Sequence, residues 1–343
     1  MVNLVILCGG VSPEHEISIR STKNILAALD RDKYNVHVVG ISKSGEWFLL
    51  DEDAIDKSIE GGGVLVKITP GKRDWLSTDD ENIGPVDVVF PVLHGPNGED
   101  GSIQGLLQNL GTPFVGPGVL SSSIAMDKDV CKSLLKNCNV LVANWISLRS
   151  DDEIPAYSIV SGKLGNILFV KPANMGSSVG VSRVTNENEW KDAVAEAFKY
   201  DSKILVEECL IGRELECAVL GNANPKASTV GEVKSGEVYS FDEKYASTSS
   251  AEIHIPADVS SDELQVLQST ALTSYKALGC EGLSRIDMFL TSEKKVYVNE
   301  VNTIPGFTSI SMYPKLWEES GVNYSDLLDE LITLGLQRGT VNF

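Results

Sequence analysis

The residues best suited to chemistry lie in two short runs, Arg285-Ile-Asp287 and Glu300-Val-Asn302. Each sits in an apolar, β-branched stretch, RIDMFL at 285–290 and KVYVNEVN at 295–302, with a short polar turn between. Strand side chains alternate faces with period two, so Arg285 shares a face with Asp287, and Glu300 with Asn302. A two-residue turn centred on Glu293-Lys294 predicts Asp287 opposite Glu300 and Arg285 opposite Asn302. Carboxylates facing each other across a hairpin repel. A hard cation bridging them removes that cost, and carboxylates with an amide oxygen are magnesium ligands, usually shared with nucleotide phosphates. Without metal, the pairing is expected to look electrostatically strained. Arg285 beside it suits a transferring phosphoryl group or a developing oxyanion. A solvated hairpin face is the competing reading.

A second candidate is Lys171-Pro-Ala-Asn-Met-Gly176-Ser177-Ser178-Val-Gly180, at the exit of the apolar run ILFVK. Gly and Ser there leave backbone N–H groups to wrap phosphate, with Lys171 as a point charge. A surface turn is the alternative. Neither G-x-x-x-x-G-K-[ST] nor G-x-G-x-x-G is present, so this is neither a Walker A loop nor a dinucleotide fingerprint. Lys128 is a further candidate. Glu207, Glu208 and Glu214 at the end of KILVEECLIG fit the amine and hydroxyls of a nucleoside, or are ordinary strand-end acids. The loop Gly9–Ser18 follows the first strand and carries acids, so it suits an ammonium; Ser12 and Ser18 also read as helix caps. His94 ends the third strand at the same sheet edge, as a substrate contact or a turn histidine. After the hairpin, Gly306 can offer a backbone N–H and Ser311 can hold a carboxylate. The histidines at 15, 37, 94 and 254 lack metal-ligand spacing, which excludes a zinc site.

The elements that position these groups follow from periodicity. Buried strands are expected at 2–7, 35–41 and 86–93, with helices at 18–29 and near 103–110. That βαβ alternation predicts a parallel sheet in a first domain, residues 1–118. Residues 119–211 read as a helix over 119–135, then strand, loop, strand, helix and strand. From 212 to 343 strands dominate, with helices near 261–279 and 323–338. The polar run 235–251 between them reads as a lid loop. The overall class is α/β with α+β.

The 343 residues carry a net charge of −19, which argues against a sequence-blind nucleic-acid or anionic-membrane binder. Six scattered cysteines without a C-x-x-C pair fit buried thiols in a reducing compartment. No signal peptide or membrane-spanning stretch is evident, so a cytoplasmic protein is expected.

Eight segments occur in order: GGVSPEHEIS (9–18), HGPNGEDG (94–101), MDK (126–128), KPANMGSSVGVS (171–182), GRELECAVLG (212–221), EKY (243–245), GLSRIDMF (282–289) and NEVNTIPGFTSISMYP (299–314). Together they resemble the D-alanine–D-alanine ligase family of the ATP-grasp superfamily, over about residues 4–338. The resemblance implies an ATP-grasp fold behind an N-terminal, Rossmann-like parallel-sheet domain. It implies ligation of two D-alanines through an acyl phosphate, for peptidoglycan precursors. Lys128, Lys171 and Ser178 would hold ATP phosphates, with Lys244 reaching the γ-phosphate. Glu207, Leu210 and Glu214 would contact adenine and ribose. Asp287, Glu300 and Asn302 would bind two Mg²⁺ ions, with Mn²⁺ as a substitute. Glu16 would receive the first substrate's ammonium, near His94, and would join Ser177 and Tyr245 in closing the lid. Arg285 and Gly306 would be the oxyanion donors, and Ser311 and Met312 the second carboxylate site. A homodimer is implied. The lid SFDEKYAST departs from the common form, and an E-K-Y lid also occurs in D-alanine–D-serine ligases, which keeps that activity as the alternative. Tyr245 argues against D-lactate. A nucleotide-binding regulatory module that has lost catalysis is countered by the intact Arg285, acids and lysines.

Overall fold

The computed structural model describes residues 1–55, 59–71, 74–79, 82–234 and 252–338. Three sheets organise the chain. The first has the order β4-β3-β2-β1-β7, with β1 (Val2–Gly9), β2 (Tyr34–Ile41), β3 (Trp47–Leu50), β4 (Gly63–Leu65) and β7 (Val88–Pro91). Leu4 to Cys8 are wholly buried, because helices and loops cover both faces of this central strand. β1 runs parallel to β2 and β7, as expected, but β3 and β4 add an antiparallel edge. The reason is local: β2 turns back at Ser42–Glu46, where Gly45 has φ +93°, too short a link for a parallel crossover. A small hairpin, β5 (Lys67–Ile68) and β6 (Leu76–Ser77), lies alongside.

The helix after β1 spans His15–Ala28. Ser18 does not cap it. Its hydroxyl accepts the Gly9 N–H at 2.8 Å and donates to the Val92 carbonyl, tying the exits of β1 and β7 together. The run 119–135 breaks into two helices, Val119–Met126 and Lys128–Asn137. Asp127 makes the break: its carboxylate accepts the N–H groups of Asp129 and Val130, capping the second helix. It also meets Lys203 Nζ at 2.5 Å.

The second sheet is antiparallel, order β10-β9-β11-β8, from β8 (Trp145–Arg149), β9 (Leu168–Pro172), β10 (Ser182–Val184) and β11 (Lys203–Glu208). The third, also antiparallel, has the order β14-β13-β12-β15-β16, from β12 (Arg213–Leu220), β13 (Lys226–Lys234), β14 (Glu252–His254), β15 (Leu283–Leu290) and β16 (Val296–Asn302). The helix Ser261–Ala277 begins with a capping box, Ser260 with Glu263, and lays Leu267, Ala271 and Tyr275 on the third sheet.

Two packing facts lie outside what periodicity foretells. Ala125, Cys131 and Leu135 share the core of the third sheet. The last helix, Tyr324–Gln337, returns to the first sheet, where Leu327, Leu328, Leu331 and Ile332 join Leu4 and Ile6 in one core. Among the described residues no helix is long and apolar enough to cross a membrane.

Candidate active site

The second and third sheets face each other across a cleft of about 870 Å³. Lys128, Lys171, Ser177, Ser178, Glu207, Leu210, Glu214 and Glu300 all line it. Lys128 opens its helix and donates from Nζ to the Met175 carbonyl at 2.6 Å, so it touches the root of the glycine–serine loop. Lys171 is the penultimate residue of β9 and is largely buried. In that loop Ser177 and Ser178 have φ +52° and +59°, a left-handed backbone that costs L-residues about 1–2 kcal/mol each. Such strain concentrates where a loop is shaped for a ligand.

Glu207 does not present its carboxylate to the cleft as a nucleoside contact would. It is buried, with Oε2 2.8 Å from Lys171 Nζ and Oε1 3.1 Å from Lys132 Nζ. Burial alone would push its pKa up. The two lysines outweigh that and hold it below the usual carboxylate range.

A smaller recess of about 110 Å³ adjoins the cleft and shares Gly176, Ser177 and Glu300 with it. Glu14, His94, Glu99, Arg285, Asn302, Gly306, Ser311 and Met312 line it. Glu16 is not there. Its side chain is 62% exposed and pairs with Lys43 at 3.1 Å. The acid in the recess is Glu14, 6% exposed, accepting a 2.6 Å hydrogen bond from Ser177 Oγ. The reason is helical geometry: two residues turn the chain by about 200°, so acids at 14 and 16 cannot face the same way. Proximity to the helix start, read with its period, would have separated them.

His94 is also engaged otherwise than expected. Nδ1 lies 2.9 Å from the Ile304 carbonyl, which can only accept, so Nδ1 carries the proton. Nε2 is then the acceptor for Ser21 Oγ at 3.2 Å, and Ser21 Oγ in turn accepts the Phe307 N–H at 3.1 Å. Burial holds the His94 pKa below its ordinary value, consistent with a neutral ring. Both nitrogens therefore serve the loop around Gly306 rather than a ligand. Glu99, which the motif HGPNGEDG contains but its spacing did not single out, completes the clamp. It accepts N–H bonds from Gly95 at 2.7 Å and Ile304 at 3.0 Å. Ile304 is thus pinned through its N–H and its carbonyl, two residues before Gly306. At Gly306 an added Cβ would lie 2.7 Å from Ser311 Oγ, so any other residue there would displace that hydroxyl. Ser311 precedes the helix Met312–Glu319 but does not cap it. Its hydroxyl accepts the Thr308 N–H at 2.9 Å.

Burial, with the Glu14 charge behind it, pushes the Glu99 carboxyl up to about 8. A carboxyl whose folded pKa is raised holds its proton more tightly when folded, so stability falls as pH rises toward 8. The ligand-free melting temperature is expected to drop between about pH 5 and 8, and Glu99→Gln should flatten that slope. An unchanged slope by calorimetry would remove Glu99 as its source.

The hairpin carries the wall between cleft and recess. Arg285 pairs with Asn302 and Asp287 with Glu300, as the sequence predicts, but by a different route. The turn is one residue longer, closing Thr291 on Lys295 with Lys294 at φ +59°. A β-bulge between Asp287 and Met288, with Asn299 as the extra residue opposite, restores the register. The neighbouring strand adds Glu216 opposite Asp287. Glu216, Asp287 and Glu300 therefore form one row across three strands, a third acid that a two-strand reading misses. Arg285 offsets part of this: Nε and a terminal nitrogen each bond Asp287 at 2.7 Å, and Glu216 Oε2 lies 2.8 Å away. Asn302 Nδ2 also donates to Asp287 at 2.9 Å. The expected strain at Asp287 is thus relieved by the guanidinium and the amide. Three carboxylates against one guanidinium still leave the row net negative, and Asp287, Glu300 and Asn302 carry oxygen donors of the type a hard divalent cation takes. Among the described residues, however, no acid cluster is gathered around a metal position, and both Asp287 oxygens are held by Arg285 and Asn302. Lys244 and Tyr245, with the lid loop 235–251, lie outside the described residues.

The family models for the D-ala D-ala ligase N-terminus and C-terminus match residues 3–117 and 134–333. The chain belongs to the D-alanine–D-alanine ligase family. Within it, the chain is 45% identical over 350 residues to "D-alanine--D-alanine ligase A" of Salmonella typhimurium, covering 98% of this chain and 96% of that protein. The D-alanine–D-alanine ligase structure from Coxiella burnetii superposes with a TM-score of 0.87 at 39% identity, over 98% of this chain and 96% of the other. The VanG D-Ala:D-Ser ligase of Enterococcus faecalis gives 0.89 at 35% identity, over 97% and 99%. A Bacillus anthracis D-alanine–D-alanine ligase complexed with ATP gives 0.76 at 27%, over 98% of both chains.

Proposed function

We propose that this chain joins two D-alanines with ATP to form D-alanyl-D-alanine, as a step in peptidoglycan precursor synthesis. The observation that carries this reading is the shared wall: a lysine-floored cleft opens onto a recess holding Glu14, Arg285 and Gly306 across Ser177 and Glu300. The cleft is the ATP site, with Lys128, Lys171 and the 176–180 loop around the phosphates and Leu210 and Glu214 toward the nucleoside. Glu14 receives the first substrate's ammonium in the place expected of Glu16. That orients its carboxylate toward the γ-phosphate. Attack there releases ADP and leaves an acyl phosphate. The second D-alanine lies with its carboxylate at Ser311 and the open start of the helix at Met312. Its amine attacks the acyl carbon, phosphate leaves, and Arg285 with the Gly306 N–H meets the oxyanion between. His94 and Glu99 hold the Gly306 loop. Asp287, Glu300 and Asn302 would hold magnesium, or manganese in its place; bound there, the cation neutralises phosphate charge. Two ions are implied by the family resemblance. The same resemblance supports a cytoplasmic homodimer and the division 1–118, 119–211 and 212–343.

D-alanyl-D-serine synthesis is the second reading, resting on the likeness in shape to VanG alone; the higher identity to the D-alanine ligase favours the first. Product analysis with ATP, Mg²⁺ and D-alanine, with and without D-serine, decides. D-alanyl-D-alanine is expected as the main product in both mixtures. Product only when D-serine is added would reverse the assignment.

A further inference from the structure

We infer that Lys132, which lines neither cavity, is a positioning residue for the phosphate end of the nucleotide, acting through Glu207 on Lys171. This deepens the nucleotide reading above and rests on it. Lys132 is 1% exposed, on the helix Lys128–Asn137. It lies four residues after Lys128, so the two share a helix face, one turn apart. Lys128 reaches the cleft, whereas Lys132 Nζ ends 3.1 Å from Glu207 Oε1, in ion-pair rather than hydrogen-bond geometry. Trp145 covers it, with the ring centroid 6.0 Å from Nζ.

A buried ammonium that touches no ligand is costly unless it does something for its partner. Here the partner is shared. Were Lys171 alone with Glu207, the pair would be neutral, and the carboxylate would cancel the charge that an anion needs. With Lys132 taking one carboxylate oxygen and Lys171 the other, Glu207 fixes the Lys171 ammonium in place without consuming its charge. Lys128, Lys132 and Lys171 against Glu207 leave the floor of the cleft and the layer behind it net positive, and with Glu300 on the facing wall counted one positive charge remains, suited to a polyphosphate. Lys171 and Lys132 keep Glu207 ionised against its burial, while burial lowers the Lys132 pKa and the Glu207 charge opposes that shift.

The test is Lys132→Met in the full chain, titrated calorimetrically with ADP and separately with adenosine, beside steady-state kinetics. ADP affinity is expected to fall by about 10–100-fold, the range for bonds to charged groups. Adenosine affinity should hold, and KM should rise for ATP but not for D-alanine. Equal loss of ADP and adenosine binding, or no loss of either, would overturn the proposal. If the single variant does not fold, Lys132→Met with Glu207→Gln removes both charges; weak ADP binding in that pair supports the proposal and native binding overturns it. Failure of the unmodified protein to bind ADP would instead sink the nucleotide reading itself, and the proposal with it.

Discussion

Arg285→Met is expected to lower turnover by about 10²–10³-fold, the usual consequence of deleting an oxyanion donor. The KM for ATP should move little, because Arg285 lines the small recess and not the nucleotide cleft. A second effect follows from its neighbours. Asp287 and Glu216 lie against the guanidinium in the interior, and burial, which would lower the Arg285 pKa, is outweighed by their charges so that it rises well above its ordinary value. Removing one partner of a buried charge group costs about 3–5 kcal/mol. The variant should therefore melt earlier than the parent, and Mg²⁺ should recover part of the difference by supplying positive charge at the same acids. Steady-state kinetics and melting curves with and without Mg²⁺ check both. Full turnover in Arg285→Met would end the oxyanion assignment.

The second large effect separates two neighbouring acids. Glu14→Gln should reduce kcat/KM for D-alanine by about 10–100-fold, since it replaces a buried charge meeting an ammonium. Glu16→Gln should change it by less than about twofold, because an exposed ion pair is worth little. Ser177 Oγ donates to Glu14 at 2.6 Å, so Ser177→Ala is expected to share part of the Glu14 loss and none of Glu16's. Kinetics on the three variants read this directly. Equal losses at 14 and 16 would return the ammonium site to an open question.

The hairpin shows how far spacing alone carries. Period two fixed which of Arg285, Asp287, Glu300 and Asn302 share a face, and the pairing across strands came out as expected. It did so through two departures that cancel, a longer turn at Lys294 and a bulge at Asn299. The longer turn leaves no mark on the hydrophobic pattern, whereas the bulge does: the buried valines of β16 fall at 296, 298 and 301, so the polar pair Asn299-Glu300 interrupts the alternation. Glu216 was illegible for another reason. It lies about 70 residues upstream, and only strand order sets it opposite Asp287.

Lys128 opens a helix and carries no local signal of this kind, but the glycine–serine loop, Lys171 and the hairpin acids could be picked out as candidates because each lies in a strand or within a few positions of a strand end. The same holds for the first strand and the capped helix at 261–277, whose signals are local. The choice of Glu14 over Glu16 was partly local, since it needed the helix start to one residue. What only the tertiary structure decided concerns partners distant in sequence. Glu207 turned out to anchor Lys171 and Lys132, His94 and Glu99 to pin Ile304, and the last helix to close on the first sheet. A sequence specifies how each element buries its own apolar face. Which faces meet is settled by burying all of them at once, and that sets which charges are desolvated together.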